Sequence, residues 1–129
     1  MSNNCPSTIT PIFNGDNFKH YIAISDTTDG IRTIIQLTNV DITVTYTTPS
    51  SSKSYIATKV GTVYTNCSLD IVTNQLKVIF ESYDLDNGGL NCKVEIKIPD
   101  TDYPDGYATY TRFVNVGIEL VNSSYFLNG

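Results

Sequence analysis

Tryptophan is absent from this 129-residue sequence, histidine occurs once, and only 16% of the chain is charged. Alanine, glutamate and leucine, the residues that fill helix surfaces, are scarce, and no segment keeps a helical period, which argues against a helical architecture. Eight lysines and arginines against thirteen aspartates and glutamates leave a formal charge of -5. The basic residues are scattered singly from Lys19 to Arg112, so there is no stripe to neutralise phosphates and no nucleic-acid partner is expected. No apolar run approaches membrane-spanning length, and the opening M-S-N-N-C-P-S-T-I-T-P has neither the basic start nor the apolar stretch of a signal peptide. No membrane partner is expected, and the sequons at Asn66 and Asn122 carry little meaning. Cysteine is limited to Cys5, Cys67 and Cys92, an odd number without C-x-x-C spacing. With Cys92 on an apolar strand face and Cys67 at the end of another run, the expectation is buried free thiols and a reducing compartment.

What the chain does have is threonine, isoleucine, valine and tyrosine, the residues that suit a half-buried pleated surface. Its length fits one domain, able to bury about two thirds of the surface its unfolded form exposes. The clearest element runs from Leu90 to Ile98, where Leu90, Cys92, Val94, Ile96 and Ile98 alternate with Asn91, Lys93, Glu95 and Lys97. Asn87, Gly88 and Gly89 open it, and Pro99 followed by a P-D-G turn closes it. Upstream, Phe18, His20, Ile22 and Ile24 share one strand face, Asp26 to Gly30 reads as a turn, and Ile31 to Leu37 as its hairpin partner. Ile42, Val44 and Tyr46 face one way and threonines the other; a small-residue loop, T-P-S-S-S-K-S, then leads to strands at Tyr55–Val60 and Thr62–Cys67. Leu69–Val72 and Leu76–Glu81 form a further hairpin with Leu76, Val78 and Phe80 inward. Tyr107 to Val121 is too long for a straight strand, and Gly117 is the natural place for a bend or bulge. The expected fold is an all-β antiparallel sandwich of seven to nine strands over residues 16–121, with an amino-terminal arm at 1–15 and a tail at 122–129.

Chemistry finds little purchase in this pattern. His20 stands in a strand with no nucleophile or acid at recognisable spacing, so a structural histidine is expected and no enzyme activity, catalytic residue or cofactor. Asp84, Asp86, Gly89 and Glu95 match much of a helix-loop-helix calcium loop. Strand alternation from Leu90 onward contradicts the exiting helix, however, and no metal is expected there. Asp100, Asp102 and Asp105 are expected to make side-chain turns to nearby amides, ahead of binding a cation. Tyrosines at positions 46, 55, 64, 83, 103, 107, 110 and 125 suit either sugar stacking or a protein interface.

The run D-L-D-N-G-G-L, an alternating strand, I-P-D-T-D-Y-P-D-G, a last strand and G-I-E-L-V resembles an amino-terminal domain of fibre and baseplate proteins of tailed phages, among them crAss-like phages of Bacteroidales. D-N-F-K-H-Y-I-A-I-S and N-V-D-I-T-V-T-Y-T-T are similar to its opening strands. The resemblance implies a non-enzymatic virion protein, made in the bacterial host cytoplasm, that anchors a fibre, baseplate or capsid-decorating component by binding other virion proteins and copies of itself. A carbohydrate-binding or adhesin-like module is the alternative. The two features least required by a sandwich core, the arm with Ile9, Ile12 and Phe13 and the loop with Asp102, Tyr103, Asp105 and Tyr107, are the expected protein-binding residues. An arm of this kind should be removable, with residues 1–14 deleted, while the sandwich stays folded.

Overall fold

The alternation at Leu90–Ile98 is realised in full. The computed structural model describes residues 10–28, 30–49, 52–81 and 84–121, and within them the chain is all-β. Its strands are β1 (Thr10–Phe13), β2 (Phe18–Ile22), β3 (Ser25–Thr28), β4 (Ile31–Ile34), β5 (Asp41–Thr47), β6 (Ser54–Val60), β7 (Val63–Thr65), β8 (Cys67–Asp70), β9 (Gln75–Phe80), β10 (Gly88–Pro99) and β11 (Tyr107–Val121), with one 3-10 turn at Leu37–Asn39. Six strands form a sheet in the order β1-β11-β10-β5-β6-β7, three form a second sheet in the order β2-β9-β8, and β3 and β4 pair by themselves. Leu90, Cys92, Val94 and Ile96 of β10 are buried between β11 and β5, while Lys93 and Lys97 point to solvent.

The two larger sheets meet through an aromatic cluster. Phe80 of β9 stacks on Phe18 of β2 at 4.4 Å and takes Tyr46 of β5 edge-on at 4.7 Å, with Tyr55 of β6 tilted against it. Aromatic pairs in such offset and edge geometries contribute about 0.5–1.5 kcal/mol beyond the area they bury. Leu76, Val78 and Phe80 alternate inward along β9, as the sequence pattern requires. The chain crosses between sheets at Asn66, whose φ of 59 makes the corner after β7. Its side-chain amide donates to Ile56 O and its carbonyl oxygen accepts from Ile79 N–H. Asn74, also left-handed, clips the β8–β9 turn to the segment before the 3-10 turn by donating to Ile35 O and accepting from Leu37 N–H.

Several expectations change. Residues 10–13, assigned to an arm, form β1 and pair in parallel with Ile118–Val121, so the large sheet is mixed, not purely antiparallel. A four-residue strand containing Pro11 has no period of its own, and only its partner's backbone reveals it. Asn14 is buried beyond it, its amide nitrogen 2.7 Å from Leu85 O and 3.0 Å from Asn87 Oδ1, so residues 10–14 are part of the folded domain. The stretch Asp26 to Gly30 is largely strand, pairing Ser25–Thr28 with Ile31–Ile34, and Gly30, with φ 78, stands in the turn before Ile31. β2 takes β9 as its partner in place of Ile31–Leu37, and the separate β1 and β3 raise the count to eleven strands among the described residues. Finally, Leu37 belongs to the 3-10 turn, fully buried, and not to a strand.

The bend expected at Gly117 is present. Its φ is 79, and opposite it the β10–β11 register shifts between Gly89 and Asn91.

Candidate assembly surface

Pro99 and Tyr107 close the β10–β11 hairpin as a cross-strand pair, and the loop between them is held by its own hydrogen bonds. Asp100 N–H donates to Gly106 O and Gly106 N–H to Tyr103 O, each at 2.9 Å. The carboxylates work locally: Asp100 Oδ1 accepts from Asp102 N–H at 2.9 Å and Asp105 Oδ1 from Tyr107 N–H at 3.1 Å. These are the side-chain turns that aspartate favours. The result is a fixed turn that leaves Asp102, Tyr103, Asp105 and Tyr107 at the surface.

The other expected contact residues fall elsewhere. Ile12 packs against the core from β1 and Phe13 is half-buried, so neither is presented as a free anchor. Ile9 lies outside the described residues, as do Cys5, Tyr83, Tyr125 and the tail at 122–129. The calcium-loop residues are parted: Asp84 Oδ2 accepts from Glu81 N–H, Asp86 pairs with Lys53 at 3.5 Å, and Glu95 stands mid-strand in β10 between Thr43 and Thr111. Among the described residues no three His, Cys, Asp or Glu side chains are placed to hold a metal ion.

His20, from β2, reaches across the sheets to Tyr46. Its Nδ1 lies 2.7 Å from the phenol oxygen, and burial lowers the imidazole pKa from its ordinary 6.5. Burial raises the Tyr46 phenol, and the nearby Cys92 adds to that rise. Tyr55 is pushed up to about 12, first by burial and then by Asp84 and Glu81, and its hydroxyl donates to Ile79 O. The free thiols are buried: Cys92 is raised to about 11 by desolvation, and Cys67, also raised by burial, donates to Thr58 O. These groups tie one sheet to the other.

Sequence reasoning missed Lys59. It shares parity with Tyr55 and Ala57, the inward face of β6, and is 1% exposed. Its ammonium donates to Val40 O at 2.7 Å and to Thr38 O at 3.4 Å, supplying the carbonyls at the end of the 3-10 turn. Strand parity was the available signal, and the presumption that lysine faces water hid it.

Along β11 the aromatic residues that the core does not use come to the surface. Tyr107, Tyr110 and Val114 are exposed, and Phe113 is 80% exposed. Beside Phe113, on the outer face of the large sheet, Thr45, Thr47, Asn91 and Lys93 border an open depression of about 370 Å³. On the inner face Tyr110 and Arg112 line a smaller cleft with Ile24, Ile35, Ile96 and Ile98. The surface therefore offers apolar area, hydroxyls and a single guanidinium along one strand and the loop that leads into it. No family model matches the chain, and neither the curated proteins nor the solved structures contain a significant match to it.

Proposed function

We propose that this chain is a non-enzymatic structural domain of a tailed-phage virion that anchors a fibre, baseplate or capsid-decorating component through protein–protein contacts. The observation that carries the assembly reading is the exposed aromatic series Tyr103, Tyr107, Tyr110 and Phe113, spread over one hydrogen-bonded loop and the strand it feeds. Aromatic residues that leave the core unused are the composition of an interface centre. The phage assignment rests on the resemblance of D-L-D-N-G-G-L, I-P-D-T-D-Y-P-D-G and G-I-E-L-V to the fibre and baseplate domains.

The depression beside Phe113 favours a second reading, a carbohydrate-binding module, because an exposed ring flanked by threonine hydroxyls and an asparagine amide suits a sugar face. The deciding experiment is quantitative mass spectrometry of gradient-purified particles made with wild-type chain or with Tyr103→Ala. The expected result is incorporation of the wild type and a loss of about tenfold or more in the variant, as for an interface hot spot, with unchanged melting temperature. Particles lacking the chain, together with glycan binding that Phe113→Ala abolishes, would replace the assembly reading by the second one.

A further inference from the structure

We propose that the chain forms a two-fold dimer by pairing β11 with β11 of a second copy, which joins the two large sheets edge to edge. This deepens the assembly reading and rests on it. β11 is fifteen residues long, yet β1 covers only Ile118–Val121 on the side away from β10. From Tyr107 to Val116 that side has no strand beside it among the described residues. An open edge of this length is a template for another strand, and proteins guard such edges with short strands, proline, lysine or bulges. The other outer strands among the described residues are short or guarded: β7 has three residues, β1 has four and contains Pro11, β3, β4 and β8 have four, and β2 has five, the second of them Lys19. Y-A-T-Y-T-R-F-V-N-V has no proline or lysine and is mostly β-branched or aromatic; the bend at Gly117 lies beyond it, and its one charge, Arg112, donates to Thr111 O at 2.8 Å, a contact that a second strand must displace.

The same stretch is complementary to itself. Ala108, Tyr110, Arg112 and Val114 stand opposite Ile98, Ile96, Val94 and Cys92 of β10 and so share the inner face, while Thr109, Thr111 and Phe113 share the outer one. With a two-fold axis perpendicular to the sheet through Thr111, antiparallel pairing sets Thr111 against Thr111 of the second copy. Tyr110 then meets Arg112 on the inner face, a guanidinium beside an aromatic ring, twice by symmetry. Ala108 meets Val114 on that face, and Thr109 meets Phe113 on the other. No like charges oppose one another. Shifting the axis to Arg112 would set two guanidinium groups face to face, which disfavours that register.

The test is mass photometry and sedimentation velocity on the full chain, with circular dichroism to confirm folding. Wild type is expected to dimerise. Thr111→Lys and Tyr110→Lys each place like charges across the axis and are expected to weaken the dimer on the order of tenfold or more. Tyr110→Glu, which faces Arg112 of the second copy, is expected to dimerise at least as well as wild type. If one lysine variant fails to fold, the other carries the comparison. A wild-type monomer at all accessible concentrations, or a dimer indifferent to both lysines, overturns the proposal. So does a monomer that dimerises only after residues 1–9 are removed, since the chain's own terminus would then occupy the edge. Incorporation into particles is read on the same samples. A monomer that still enters particles overturns the dimer and spares the assembly reading, whereas a dimer that never enters them does the reverse.

Discussion

His20 and Lys59 show how single polar residues are accommodated in a core that the sequence describes as apolar. Lys59 ends on two backbone carbonyls, which meets the rule that a buried donor must be given acceptors. His20 is kept neutral by burial and bonded to Tyr46. Because its folded-state pKa lies below the ordinary value of 6.5, the unfolded chain takes up a proton first. Its contribution to stability is therefore complete above about pH 6.5 and is lost as the pH falls toward the lowered folded value. Melting temperatures of wild type and His20→Gln at about pH 7.5 and about pH 5.5 check this, with acidification expected to cost the wild type more. Equal losses in the two proteins would remove His20 from the acid response. The same core holds Cys67 and Cys92 as thiols raised by burial, consistent with packing roles for both.

At the scale of elements, strand register carries most of the information. β10 shows one buried face, and its alternation was legible because it lies centrally with a partner on each side and one face in contact with the core. Val94→Asp places a carboxylate where the wild-type side chain is 5% exposed and is expected to cost roughly 3–5 kcal/mol, whereas Lys93→Asp on the opposite face should cost under about 1 kcal/mol. Chemical denaturation of the two variants measures the difference, and similar midpoints would mean that the register is wrong. The long β11 was legible from its run of β-branched and aromatic residues, and its glycine bend lies where a left-handed residue is needed. β1 and β3 were not, because strands of four residues leave no periodic signal, whereas β4 was read as the start of a longer strand, Ile31–Leu37, with β2 as its partner.

At the scale of the whole molecule, residues 10–13 add an outer strand to the large sheet. Deleting residues 1–14 removes β1, the packing of Ile12 and the hydrogen bonds from Asn14 to Leu85 and Asn87. Compared with a deletion of residues 1–9 alone, it is expected to destabilise the fold by about 2–4 kcal/mol, from a lost core contact and a buried carbonyl left without its donor. Thermal melts of the two truncations decide it, and coincident curves would restore residues 10–14 to an arm. The candidate surface divides in the same way. The loop at Asp100–Gly106 was visible in the sequence because aspartate, proline and glycine have local reasons to turn, and the exposed tyrosines could be counted. Their gathering along the part of β11 that has no strand on that side among the described residues could not, since it depends on where β1 pairs with β11. Sequence alone determined the all-β class, the inward faces of β5, β9 and β10 and the bend in β11, because each follows from side-chain alternation or backbone φ within a few residues. Tertiary structure decided the parallel pairing of β1, the burial of Lys59 and the edge that β11 leaves without a strand among the described residues, because each is set by which distant strand comes alongside, and no local pattern encodes that.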